Sequence, residues 1–179
     1  MGLTSGRTME RKLQKFLSED QTKLLKLWIS KCEAGRLPLR KQVGPADLIF
    51  CLSCVSILES QTSGEFTFRL TASNLKDVLG EECRGRVVSQ ECGDEMPWSE
   101  ALKRCQATKA PVFGSTPTGH KRLHHWMRLP LEPMADGRQQ ILCYDTIRFD
   151  SSGDSEGRET MFVTADLVNP RTRSHLNAA

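Results

Sequence analysis

The spacing of apolar residues changes twice along the chain, and this pattern constrains the fold more than any other feature. Residues 55–59 and 65–70 alternate apolar and polar side chains, which predicts two short strands joined as a hairpin. Residues 98–108 place apolar side chains at i, i+3, i+4 and i+7, which predicts an amphipathic helix. Three further alternating segments follow, at residues 110–115, 123–131 and 140–149. Two strands, a helical insert and three strands predict an antiparallel α+β domain.

Turn residues support these boundaries. Asp136-Gly137 is the strongest hairpin signal in the chain and lies between the last two strands. Between the two groups of strands, Ser73 is placed to cap a short helix that Gly80 ends.

A helical extension, residues 1–36, precedes the first strand. Ser18 and Gln21 have the spacing of a capping box, and Gly35 is suited to end a helix. The apolar residues of this region form one stripe, which consists of Leu13, Phe16, Leu17, Leu24, Leu27 and Trp28. Because such a stripe needs cover, we expect a two-fold homodimer formed through the N-terminal helix.

Residues 37–149 then form the main domain, and residues 150–179 form a linker and tail. Residues 150–160 are rich in Ser, Gly and acidic residues, which predicts a flexible segment that folding does not need.

Composition excludes several classes of protein. The net charge of +3 is small and the basic residues are scattered among 22 acidic ones, so we expect no nucleic-acid binding. No apolar run is long enough to span a membrane, and the N-terminus does not have the pattern of a secretory signal. The seven cysteines, an odd number, favour reduced thiols in a cytoplasmic protein.

Short motifs within this order carry a family resemblance. The segment GRLPLR at residues 35–40 and the segment PADL at residues 45–48 resemble the entry of a PAS-like domain family found mainly in alphaproteobacteria. Phe68-Arg69-Leu70, Leu79-Gly80 with Gly85, and Leu129-Pro130-Leu131 resemble later motifs of that family. The resemblance covers residues 28–147, but Ala72 replaces a usual Gly and residues 41–44 lack a usual acidic residue.

The resemblance implies a five-stranded antiparallel sheet, helices on one face and a cavity between them. It also implies a sensory or regulatory domain of signal transduction, which binds a small molecule, a signalling protein partner or both. We find no kinase, cyclase or DNA-binding signature, so we expect no output module of its own and action on a separate protein or on itself.

In the PAS arrangement one sheet face lines the cavity. With the register of each strand assumed, alternation predicts a mainly apolar lining with His125 as its polar contact. The predicted ligand-binding residues are Phe66, Phe68, Leu123, His125, Met127, Leu129 and Cys143. Such a pocket suits a small or flat apolar ligand, although the same side chains would equally serve to fill a core.

No cofactor is expected. PAS domains that hold haem commonly ligate it through a His of the long helix, and residues 98–108 contain none. Flavin-binding relatives use a Cys within a specific motif, and the neighbours of Cys83-Arg84 do not match it.

No metal site is expected either. Cys51 and Cys54 form a C-x-x-C pair, but the chain offers no second closely spaced pair. His124 and His125 point to opposite faces of a strand and cannot hold one ion together.

The sequence favours a protein that is not an enzyme, because it lacks the usual nucleophile and phosphate-binding motifs. The alternative is a small cavity enzyme, similar to cyclases or hydratases, that uses a His125–Asp145 pair.

Overall fold

Five strands pair into an antiparallel sheet, as the alternating segments predict. We describe the fold from a computed structural model, in which the described residues are 17–33, 35–61, 63–92, 98–118, 121–149 and 163–164. The strands are β1 (Val55–Ser60), β2 (Phe66–Leu70), β3 (Val112–Pro117), β4 (Arg122–Pro130) and β5 (Gln140–Phe149), with a two-residue strand β6 (Val163–Thr164). Their order across the sheet is β2-β1-β5-β4-β3-β6, and each neighbouring pair is antiparallel. The five-stranded antiparallel sheet that the resemblance implies is therefore confirmed.

Helices lie on both sides of this sheet. They are α1 (Glu19–Lys31), α2 (Leu75–Leu79), α3 (Val88–Cys92) and α4 (Ser99–Thr108). Three 3₁₀ turns precede β1, at Arg40–Gln42, Pro45–Leu48 and Leu52–Cys54. None of the helices in the described ranges combines the length and apolar character needed to cross a bilayer.

Helix α1 covers one face of the sheet, which we call the α1 face. Its start is the predicted capping box, with Ser18 accepting from the backbone N–H of Gln21 and Gln21 accepting from that of Ser18. Leu24 and Trp28 are buried in the same apolar core as Met127 of β4. The stripe that predicts a dimer is thus covered by the chain's own sheet at these positions. Leu13 and Phe16 lie outside the described residues.

Helices α2 to α4 cover the opposite face, which we call the insert face. Its core combines Phe68 of β2, Trp126 of β4 and Cys143 of β5 with Leu102 and Cys105 of α4. The amphipathic helix predicted at residues 98–108 is confirmed as the longest element of this cover.

Two turns need glycine for backbone reasons. Gly80 ends α2 with φ +83°, and Gly137 occupies the predicted β4–β5 turn with φ +82°. Both values lie in the left-handed region that a side chain disfavours.

Three kinds of element were not predicted from the sequence. Helix α3 is only five residues long and the 3₁₀ turns are three or four residues long, too short to show an apolar period. Strand β6 lies within residues 150–179, which we predicted as linker and tail, and it pairs with Val112 and Phe113 of β3. Residues 150–160, predicted to be flexible, lie outside the described residues.

Candidate functional site

A buried cluster of polar side chains lies on the insert face, at the centre of the sheet. Alternation along β4 places His124, Trp126 and Arg128 on this face. The register of β4 with β5 sets Trp126 opposite Asp145, and Arg128 opposite Cys143. Two adjacent strands therefore bring an arginine, an aspartate and a histidine together.

Asp145 is the centre of this cluster. Arg128 forms a bidentate ion pair with it, in which Nη2 donates to Oδ1 at 2.9 Å and Nη1 donates to Oδ2 at 3.2 Å. His124 Nε2 lies 2.8 Å from Oδ1 of the same carboxylate. Because an ionised carboxylate only accepts hydrogen bonds, His124 must carry its proton on Nε2.

The cluster is completely removed from solvent. Arg128 and Asp145 are both 0% exposed and His124 is 2% exposed. Burial acts to raise the pKa of Asp145, but Arg128 and His124 outweigh it and the pKa is lowered. Burial likewise acts to lower the pKa of Arg128, but the charge of Asp145 raises it overall. Arg128 and Asp145 are therefore both charged, and the charge of each compensates the buried charge of the other.

Aromatic rings surround the arginine. The Arg128 Cζ atom lies 4.6 Å from the ring centroid of Trp98 and 5.5 Å from that of Trp126, within cation–π range. Trp98 also contacts the ring of His124, at 5.9 Å between centroids, and that of Phe68, at 5.8 Å. Trp98 therefore packs between the polar cluster and the apolar side chains of the insert face.

One donor of the arginine has no hydrogen-bond partner. Arg128 Nε is buried and makes no hydrogen bond within the described part of the chain. A buried donor without an acceptor is costly and uncommon, so it marks a place where a further acceptor would be stabilised.

Cysteine thiols also lie around the buried polar cluster. Burial raises the pKa of Cys143 to about 12, and burial also raises that of Cys92 to about 12. Cys105 is buried as well, and its thiol donates to the carbonyl oxygen of Arg128 at 3.5 Å. These groups are neutral, so they add no charge to the cluster.

A family model described as a PAS domain matches residues 17–141. The chain belongs to the PAS domain family. The searches of the curated proteins and of the solved structures each found no significant match.

The predicted ligand-binding residues of this PAS domain do not share one face. Phe66, Phe68 and Cys143 belong to the core of the insert face. Met127 and Leu129 belong instead to the core under α1. The assumption of one shared face is therefore wrong, because the register assumed for β4 was shifted by one residue.

The same shift affects the other two predicted residues on β4. Leu123 is buried and His125 is half-buried, and both alternate with His124 on the strand. His125 is opposite Ser115 of β3 and Thr146 of β5, on the side of the sheet that α1 covers.

The predicted His125–Asp145 pair is not formed. The carboxylate of Asp145 takes its hydrogen bond from His124, the neighbouring residue with the opposite orientation. Sequence reasoning identified the correct aspartate and strand but the wrong histidine.

Arg128 and Trp98 were missed as parts of the site. Arg128 lies between the apolar residues Met127 and Leu129 and was not among the predicted site residues. The available signal was the length of β4, which indicates a strand at the centre of the sheet. A central strand of a covered sheet is buried on both faces, so a charged residue in it needs a partner.

The C-x-x-C pair has no metal partners in the described part of the chain. Within that part, no group of three or more His, Cys, Asp or Glu is placed to hold an ion. Cys51 is buried, and burial raises its pKa to about 12. All seven cysteines lie among the described residues and are thiols rather than disulfides.

The GRLPLR segment has a structural role. The backbone N–H of Leu37 donates to Glu132 Oε2 at 3.2 Å, and the backbone N–H of Glu132 donates to the carbonyl oxygen of Pro38 at 2.9 Å. Arg40 Nη1 donates to the carbonyl oxygen of Val43 at 2.6 Å. The segment thus joins the end of α1 to the end of β4, away from the buried cluster.

Proposed function

We propose that this PAS domain is a sensory or regulatory domain that binds a small molecule between its sheet and helices α2 to α4. The Arg128–Asp145–His124 cluster forms the polar end of the site. The observation that carries the proposal is the fully buried Arg128, whose Nε donor has no acceptor.

The energetics of burial support this reading. An arginine–aspartate pair in a core is seldom more stabilising than apolar side chains of the same volume. A core that serves only to hold the fold would therefore gain little from Arg128 and Asp145. A binding site gains from them a fixed donor in apolar surroundings, which is the usual character of a small-molecule site.

We propose binding rather than catalysis. A general base needs a free acceptor near the substrate, together with a residue that orients it. Asp145 already accepts from Arg128 and His124, and the Nε2 atom of His124 is directed at Asp145. The cluster is therefore built to hold charge in place, and the enzyme alternative loses the His125–Asp145 pair on which it depended.

A partner-protein function is the second candidate, and one surface feature favours it. Ile49 is 76% exposed, and Phe50 and Leu52 beside it are also exposed. Ile49 and Phe50 lie between the last two 3₁₀ turns before β1, and Leu52 begins the last one. The predicted homodimer and the predicted signalling partner both need such an apolar surface. Light scattering of the protein and of Ile49→Glu, with Lys41→Glu as the exposed polar control, tests whether a second copy uses these residues.

Native mass spectrometry of freshly purified protein tests the small-molecule proposal. We expect one retained small molecule per chain, released on denaturation, and reduced retention in Arg128→Lys. Arg36→Lys, at an exposed position, is the control and should retain it fully. Full retention in Arg128→Lys would contradict the site. An absence of any retained or added molecule would contradict the sensing function.

We propose a cytoplasmic location because the cysteines are thiols. The assignment to the alphaproteobacterial branch of the family and the absence of an output module remain predictions from the sequence.

A further inference from the structure

We infer that an open cleft beside the ends of α1, α4 and β4 binds an acidic α-amino acid, through its two carboxylates and its ammonium group. The cleft has a volume of about 370 Å³ and is lined by residues 35–37, 108–109 and 132–133. This volume lies within the range of small-molecule sites. None of the lining residues belongs to the buried Arg128 cluster, so this second site goes beyond the proposed function and is tested separately from it.

Hydrogen bonds hold two walls of the cleft together. The backbone N–H of Leu37 donates to Glu132 Oε2 at 3.2 Å, and the backbone N–H of Glu132 donates to the carbonyl oxygen of Pro38 at 2.9 Å. The other carboxylate oxygen, Glu132 Oε1, makes no hydrogen bond within the described ranges. Glu132 is therefore fixed in the wall and keeps one oxygen with which to accept from a ligand.

Arg36 and Lys109 give the cleft two exposed cations. Neither side chain makes an ion pair or a hydrogen bond to another residue of the described part of the chain. Lys31, at the end of α1, pairs instead with Asp47 at 3.6 Å. Two cations and the carboxylate of Glu132 leave one positive charge in excess, which favours a ligand of net negative charge.

The backbone of Lys109 is an independent observation that points to a role for its side chain. Lys109 follows α4 with φ +51°, in the left-handed region. Helices commonly have Gly or Asn at such a position, because other residues adopt this conformation at a cost. Among the described residues other than glycine, only Lys109 and Lys121 have a positive φ. Strained positions of this kind cluster at functional sites, and here the strained residue lines a cleft.

The negative groups of the cleft favour an ammonium group in the ligand beside the carboxylates. Glu132 Oε1 is one of them, and the C-terminal end of α4 at Thr108 carries the negative end of the helix dipole. An acidic α-amino acid has two carboxylates for the two cations and one ammonium group for Glu132. Its single net negative charge also balances the excess positive charge of the cleft.

Titration of the intact protein with L-glutamate, glutarate and L-glutamine separates these charges. Glutarate has both carboxylates without the ammonium group, and L-glutamine has the ammonium group with one carboxylate. The readout is the ¹⁵N–¹H amide spectrum at constant ionic strength. We expect L-glutamate to shift the amide signals of Arg36, Lys109 and Glu132. It should bind about fivefold more tightly than either analogue, which is the upper range for one exposed ion pair.

Lys109→Gly and Lys121→Gly form a matched pair of variants. Each removes one exposed lysine from a left-handed backbone position, but only Lys109 lines the cleft. We expect Lys109→Gly to weaken L-glutamate binding about fivefold. Its thermal midpoint should equal or exceed that of wild type, because glycine relieves the strain. Lys121→Gly should bind L-glutamate as wild type does.

Three results would overturn the inference. Equal binding of glutarate and L-glutamate would leave no role for the ammonium group and Glu132. An equal loss of binding in the two glycine variants would show that binding follows the net charge of the protein and not the cleft. If no amide signal of residues 35–37, 108–109 or 132 shifts at the highest soluble concentration of L-glutamate, the cleft is not a site for it. The proposed function would stand in each case, because Arg128→Lys tests it at the buried cluster.

Discussion

Trp28 Nε1 donates a hydrogen bond to the carbonyl oxygen of Pro130, at 2.8 Å, and so links α1 to the end of β4 across 102 residues of chain. Both partners are buried, and the indole ring belongs to the core of the α1 face. Helix α1 is therefore part of the domain's own core and not an appended arm. The homodimer predicted from the stripe remains a prediction, but its argument does not hold for Leu24 and Trp28, which already have cover.

Trp28→Phe tests this link. The substitution keeps an aromatic ring but leaves the Pro130 carbonyl buried without its donor, which costs about 1–3 kcal/mol. We expect the free energy of unfolding in urea to fall by about 2 kcal/mol. Ser30→Ala, on the exposed side of the same helix, should change it by less than about 0.5 kcal/mol. An unfolding curve of Trp28→Phe identical to wild type would show that the hydrogen bond to Pro130 does not stabilise the fold.

Arg128 and Asp145 should be strongly coupled in stability. Arg128→Met and Asp145→Asn each leave one buried charge without compensation, so each should lower the free energy of unfolding by about 3–5 kcal/mol. The double variant leaves no charge, and its asparagine can still accept from His124. We expect it to be more stable than either single variant.

A double-mutant cycle from urea denaturation measures this coupling. Lys23→Met is the control, because the Lys23–Glu19 pair is exposed and should contribute nothing measurable. Losses in the double variant that equal the sum of the two single losses would show that the buried pair is not an energetic unit.

Acid should weaken the fold partly through Asp145. The pKa of this carboxyl is lowered below its usual range by Arg128 and His124, so the folded state favours the ionised form. A lowered folded pKa contributes stability that is complete above the unfolded value and is lost as pH falls toward the folded value. We therefore expect the free energy of unfolding to fall below about pH 4 more steeply in wild type than in Asp145→Asn. Parallel curves for the two proteins would contradict an ionised Asp145 in the folded state.

The thiols of the insert face should resist alkylation in the folded protein. Burial raises the pKa of Cys143 and of Cys92 to about 12, and the thiolate is the reactive species. With iodoacetamide at pH 8, we expect labelling on the order of a hundredfold slower than after unfolding in urea. Peptide mass mapping of both residues gives the rates. Fast labelling of Cys143 in the folded state would show that the insert face opens readily.

The order of elements was predictable because it depends on local periodicity. A few neighbouring residues are enough to show the alternation of β1 and β2, the helical spacing of α4 and the capping box at Ser18. Motifs of the PAS family added the five-stranded sheet, and the family match over residues 17–141 agrees.

The orientation of β4 was not predictable in the same way. Both of its faces are buried in the folded domain and both carry apolar residues, so alternation alone cannot assign a face. The choice between His124 and His125 as the partner of Asp145 follows only from the register with β5.

The sequence alone therefore determined the strands β1 to β5 and the helices α1, α2 and α4, because those preferences arise within a few residues. The tertiary structure decided that Trp28 covers its own sheet and that Arg128, Asp145 and His124 share one site under Trp98. These contacts join residues far apart in the chain. Their formation depends on strand register and on which face each helix covers. Neither the register nor the covered face can be inferred from a short stretch of sequence.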